Sequence, residues 1–159
     1  MYEAAINMVG GVLEPYDYDK KFPVFGFGGT PKFSGATTTS HCFPLNGNPA
    51  NPCVDGIAGM LKIYQSTLLN IGFAGPTYFG PVLKAFQAFV ASTSSNPVYH
   101  VGLILTDGTI HDMSVTKKLL VELSNLPCSV VIIGIGKADF DDMQELDGDK
   151  SKLVDDDGN

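Results

Sequence analysis

Basic charge is scarce in this chain of 159 residues, which carries 10 Lys plus Arg against 17 Asp plus Glu and a net charge of −7. The few basic residues are scattered. That argues against a nucleic-acid partner, because phosphate binding draws on clustered cations, and against direct docking on anionic lipid, which needs a polybasic face. Cysteine is scarce too: Cys42, Cys53 and Cys128 make an odd count with no short-spaced pair. A secreted disulfide framework and a CxxC-type zinc site are both disfavoured by that spacing. No run approaches the roughly 18 apolar residues that would span a bilayer, and no signal peptide is read ahead of residue 1. The expectation is a soluble, cytoplasmic chain. What is present is ordinary for a globular fold: 44% hydrophobic and 17% charged residues, and enough length to bury a core as one domain, residues 1–159. The acidic balance suits a cation, although solubility alone accounts for it.

Apolar spacing alternates between helix and strand periods. Tyr2, Ile6, Val9 and Leu13 share a helical face. Phe22 to Gly28 reads as a short buried strand, and the Gly/Pro/Thr/Asn-rich stretch after it is expected to hold an edge strand near Thr37 to Phe43. Asn51-Pro52 predicts a helix start, followed by Val54, Ile57, Leu61, Tyr64 and Leu68 at helical spacing. Val82, Leu83, Phe86 and Val90 mark a further helix, as do Val115, Leu119, Leu123 and Leu126. Between and after them, Val98 to Leu105 and Cys128 to Ile135 are near-continuous apolar runs, the pattern of parallel strands covered on both faces. Phe140 to Leu146 adds a helical turn or two, and the acidic stretch 147–159 is expected to be loose. The class is α/β: a doubly wound, mostly parallel sheet with helices on both faces.

In open α/β sheets ligands collect beyond the C-terminal ends of the strands. Gly26 to Gly29, Thr106-Asp107-Gly108 and Gly134 to Gly136 occupy such ends. Asp107 can offer a charged oxygen to a hard cation such as Mg²⁺, which takes about six oxygens. As a plain Asp-Gly turn, the same residue would need no ligand. Thr77 is the second candidate. Pro81 would break a needed hydrogen bond in a helix capped by Thr77, so the helix is expected to start nearer Pro81 and leave the Thr77 hydroxyl in the loop before it. Other constellations fail. There is no third glycine for GxGxxG, no P-loop and no GxSxG. His41, His100 and His111 are dispersed, and His100 reads as a satisfied core histidine. The segment from Asp147 to Lys152 lacks the glycine a calcium loop needs at Lys152.

Several longer motifs then carry a resemblance. Tyr16 to Lys20 leading into Phe22 to Gly28, Phe43 to Asn48, Gly75 to Pro81, Leu105 to Met113 and Glu145 to Asp149 together resemble the copine A domain, of von Willebrand factor A type. The resemblance implies a six-stranded sheet with a metal-ion-dependent adhesion site, built from an Asp-x-Ser-x-Ser loop, a later Thr and a later Asp. Thr77 and Asp107 match the last two, while the loop and the first and last strands of that sheet have no counterpart in these residues. It implies Mg²⁺ or Mn²⁺ at an incomplete site, a protein partner joined through a metal-bridged carboxylate, and no catalysis. Calcium-dependent phospholipid binding, membrane trafficking and signalling are implied only for a longer parent, through domains absent here. A related A domain in RING-type ubiquitin ligases, recruiting substrates, is the alternative. An enzymatic reading would need a base beside the metal, and only His111 and Asp112 lie close in sequence.

Overall fold

The seven-residue strands His100–Thr106 and Cys128–Gly134 form a parallel ladder running from the pair His100 and Cys128 to the pair Thr106 and Gly134. The first of these is strand β7 and the second β8, counting along the chain. The structure is a computed structural model, and it describes the chain apart from residues 94, 96, 138, 139, 148–152, 157 and 159 and the side chain of residue 142. The chain divides into two compact units, Met1–Pro76 and Thr77–Asn159.

In the second unit, helix α3 (Gly80–Ser92) leads into β7, helix α4 (Met113–Leu123) links β7 to β8, and helix α5 (Asp141–Leu146) follows. The sequence places these elements well, because each has an uninterrupted apolar period. Leu83 and Val90 on α3 and Thr116, Leu119 and Leu123 on α4 fall at spacings of three, four or seven, and all are buried. Phe79, Ile104, Ile110 and Ile135 complete this core, and Phe79 is fully buried. His100 is satisfied as expected: its Nε2 hydrogen-bonds Thr93 Oγ1 at 2.7 Å, and Phe89 meets its ring edge-on.

In the first unit, helix α1 (Tyr2–Leu13) packs on helix α2 (Gly56–Leu68). Gly10 lets the two approach closely, since a Cβ there would stand 2.4 Å from Ile57 Cδ1. Ile6, Phe43, Leu45 and Ile57 form the core, and buried Thr67 donates its hydroxyl proton to the Leu45 carbonyl at 3.2 Å. Six short strands pair two by two and antiparallel: β1 (Lys21–Pro23) with β5 (Cys53–Asp55), β2 (Phe25–Gly26) with β4 (Phe43–Pro44), and β3 (Gly29–Pro31) with β6 (Ile71–Phe73).

The mixed α/β class is therefore present. Among the described residues, however, the strands make one parallel pair and three antiparallel pairs, not one doubly wound parallel sheet. A change of partner is the physical reason: Pro23 has no N–H to extend the β1 ladder, and Val24 donates its N–H to the Pro52 carbonyl at 3.2 Å while its own carbonyl accepts the Leu45 N–H at 3.0 Å. The single strand expected over Phe22 to Gly28 is thereby cut into pieces. The edge strand expected near Thr37 to Phe43 shrinks to a bridge from Ser40 to Gly29 and the short β4.

The helix expected to begin at Asn51-Pro52 begins instead at Gly56. Asn51 Oδ1 accepts the Cys53 N–H at 3.3 Å in a tight turn, and Cys53–Asp55 is drawn into pairing with β1. Gly56 then turns the corner at φ 61°, a conformation that costs other residues roughly 1 kcal/mol or more. The acidic tail, 147–159, falls largely on residues outside those described.

Candidate functional site

Pro81 sits in the first turn of α3, where its missing N–H breaks no helical bond. The helix thus starts at Gly80, and Thr77 stays in the loop before it, half-buried, as the sequence predicts. That loop is pinned. The Thr77 N–H donates to His111 Nδ1 at 3.1 Å, and the His111 N–H donates back to the Thr77 carbonyl at 3.0 Å. One residue on, the Asp112 carboxylate accepts the Phe79 N–H at 2.9 Å with Oδ1 and the Gly80 N–H at 2.8 Å with Oδ2. Two N–H groups that α3 could not satisfy internally are thereby capped by a carboxylate lying 32 and 33 residues further along the chain. Thr116 adds its hydroxyl to Asp112 Oδ1 at 3.3 Å.

The other half of the site is the end of β7. The Thr106 carbonyl accepts the Ile135 N–H at 2.7 Å, so the ends of β7 and β8 stay joined one residue past the ladder. Thr106 is buried, whereas Asp107 turns out to solvent. The Thr77 hydroxyl oxygen lies 4.0 Å from the point where a Cβ on Gly108 would stand. Both sequence candidates, Thr77 and Asp107, therefore border the same short turn. The Gly134 to Gly136 end adjoins it through Ile135, while the Gly26 to Gly29 segment belongs to the first unit.

Hydroxyl and carboxylate oxygens are the right type of donor for Mg²⁺ or Mn²⁺, but two are too few. No cluster of three or more His, Cys, Asp or Glu able to hold a metal occurs among the described residues. Asp112 is close in sequence, yet both its oxygens are taken by backbone N–H groups.

Sequence reasoning missed the roles of His111 and Asp112, weighing them only as groups close in sequence that could serve as a base. Both are firmly positioned, as ties between the two loops. The signal was present in Pro81: a helix starting beside it, with no Ser, Thr, Asp or Asn just ahead of Gly80, needs a cap from elsewhere.

An α/β unit whose polar loops gather past the ends of two parallel strands defines the class. The copine family model matches residues 1–159, and the chain belongs to the copine family. It is 47% identical over 156 residues to BONZAI 1 of Arabidopsis thaliana, and likewise to BONZAI 2, covering 96% of this chain and 26% of each relative. It is also 47% identical over 161 residues to Copine-C of Dictyostelium discoideum, covering 99% of this chain and 29% of that one. The chain thus spans only about a quarter of the length of these relatives.

Proposed function

We propose that this chain is a non-enzymatic protein-binding module of the copine type, and that it binds through the turn bordered by Thr77 and Asp107. The observation that carries the proposal is the exposed Asp107 beside a loop held rigid by His111 and Asp112. A rigid loop loses little entropy on binding, and an exposed carboxylate is free to engage a partner.

In the cation-dependent form of this reading, Thr77 and Asp107 are two oxygen donors to Mg²⁺ or Mn²⁺, and a carboxylate of the partner is a third. Binding is favoured over catalysis because the groups a hydrolase would use as base are already employed. His111 Nδ1 and both Asp112 oxygens accept backbone N–H groups. Cytoplasmic placement belongs to the same proposal. No described helix is long and apolar enough to cross a membrane. We assign any calcium-dependent phospholipid binding, and the trafficking or signalling roles that go with it, to regions of a longer parent outside residues 1–159. The ubiquitin-ligase alternative draws no support from the BONZAI and copine relatives.

The test is a thermal melt with millimolar Mg²⁺ or Mn²⁺ on the parent chain, Asp107→Ala and Thr77→Val. Metal should raise the midpoint of the parent and leave Asp107→Ala unmoved. An equal rise in both would sink the assignment of Asp107.

A further inference from the structure

The chain holds six tyrosines, and their surroundings differ sharply. Tyr2 and Tyr64 stack on each other at 6.0 Å, both half-buried. Tyr78, in the loop before α3, is 36% exposed and has polar or ring contacts of its own. Tyr99 is 61% exposed, but its hydroxyl is bound to Ser129 Oγ at 2.6 Å. Tyr16 and Tyr18 are the exceptions: Tyr16 is 87% exposed and Tyr18 wholly so. Among the described residues, neither side chain has a hydrogen-bond or ring partner. An aromatic ring left fully in water forgoes about 2 kcal/mol of burial, so the fold gains nothing from Tyr18 where it stands.

The backbone around Tyr18 is nevertheless ordered. After the short 3₁₀ turn Glu14–Tyr16, Asp17 is extended and its Oδ1 accepts the Lys20 N–H at 2.6 Å. Asp19 Oδ1 accepts the Lys21 N–H at 2.9 Å. Lys21 opens β1 and forms an ion pair with Asp55 on the paired strand. Tyr18 therefore projects from a knuckle fixed on both sides, with a carboxylate immediately before it and another immediately after.

We propose that Tyr18 is a phosphoryl-acceptor site for a protein tyrosine kinase that selects acidic flanks. Such an enzyme needs an acceptor hydroxyl standing clear of the fold, without a competing partner, in a segment it can grip from both sides. A basic substrate cleft is complementary to Asp17 and Asp19. In the transfer, the Tyr18 phenolic oxygen forms a bond to the γ-phosphorus of a nucleoside triphosphate. The bond from that phosphorus to the bridging oxygen breaks, the nucleoside diphosphate leaves, and the phenolic proton passes to the kinase's carboxylate base. The product gains nearly two negative charges within three residues of the Lys21–Asp55 pair. It competes with Asp55 for the Lys21 ammonium and loosens the start of β1.

The experiment uses the 159-residue chain, ATP and an acid-directed tyrosine kinase, with sites mapped by mass spectrometry. Phosphate should appear chiefly on Tyr18 and be largely lost in Tyr18→Phe. The pair Asp17→Asn and Asp19→Asn keeps the oxygen acceptors and removes the charge, and should slow the transfer several-fold. Hydrogen exchange at the Lys21 and Phe22 amides should quicken after phosphorylation. Equal labelling of Tyr99 or Tyr78 in the folded chain would overturn the proposal, as would labelling of Tyr16 in place of Tyr18. So would a rate indifferent to the two Asp→Asn changes.

Discussion

Asp112 reaches back to Gly80, so that the residue capping one helix in sequence caps the start of another in space. Its carboxylate holds the Phe79 and Gly80 N–H groups of α3, while its own backbone carbonyl accepts the Thr116 N–H of α4 at 2.9 Å. One side chain thereby fixes the loop carrying Thr77 against the loop carrying His111.

Asp112→Ala removes two charge-assisted hydrogen bonds from partly buried N–H groups. A loss of about 2 kcal/mol in urea unfolding is expected, with Asp112→Asn between parent and Ala. If Asp112→Ala melts like the parent, the clamp contributes nothing in solution.

Leu83→Ala empties a position that is 1% exposed in the core of the second unit. The expected cost is about 3 kcal/mol, read by the same unfolding curve. By contrast Asp107→Ala, on an exposed turn, should change stability by less than about 0.5 kcal/mol. That contrast lets a loss of partner binding in Asp107→Ala be read as loss of a contact, provided its unfolding curve stays with the parent's.

Gly56→Ala should be costly for two reasons. Its φ of 61° is unfavourable for alanine, and the new Cβ would stand 2.6 Å from Glu14 Oε1. A destabilisation of at least about 1 kcal/mol is expected, and a neutral result would mean that this corner relaxes freely.

Burial pushes the Cys42 thiol up from its ordinary value of 9.0. A raised thiol pKa means that folding favours the neutral form. The contribution is complete below about 9 and is lost as the pH rises through the raised value. Alkylation of Cys42 by iodoacetamide at pH 8 should therefore be slower in the folded chain than in urea. Equal rates would show that the thiol is solvated.

The second unit was legible in the sequence because its signals are local and agree with one another. Val98 to Leu105 and Cys128 to Ile135 predicted β7 and β8 to within two residues at each end, and Pro81 located the start of α3. The first unit was less so. Its strands are two or three residues long, too short for a period to show, and Asn51-Pro52 carries good helix-start chemistry that tertiary pairing overrides. Thr77 and Asp107 were singled out from strand ends and a proline, and the structure brings them to the same turn. His111 and Asp112 were seen but misjudged, because the sequence around Pro81 shows that a cap is missing without showing which residue, over thirty positions away, supplies it.

The start of α2 obeys the same logic from the other direction. Glu14 Oε1 accepts the Ile57 N–H at 3.0 Å from 43 residues earlier in the chain. The first turn of α2 and the closing of that long loop are consequently a single event. A peptide spanning only Gly56–Leu68 would fray at its beginning, since the group that completes its first turn lies at the end of α1. In this unit a helix boundary is a property of the tertiary fold, and a lesion at Glu14 would register as a helix that no longer knows where to begin.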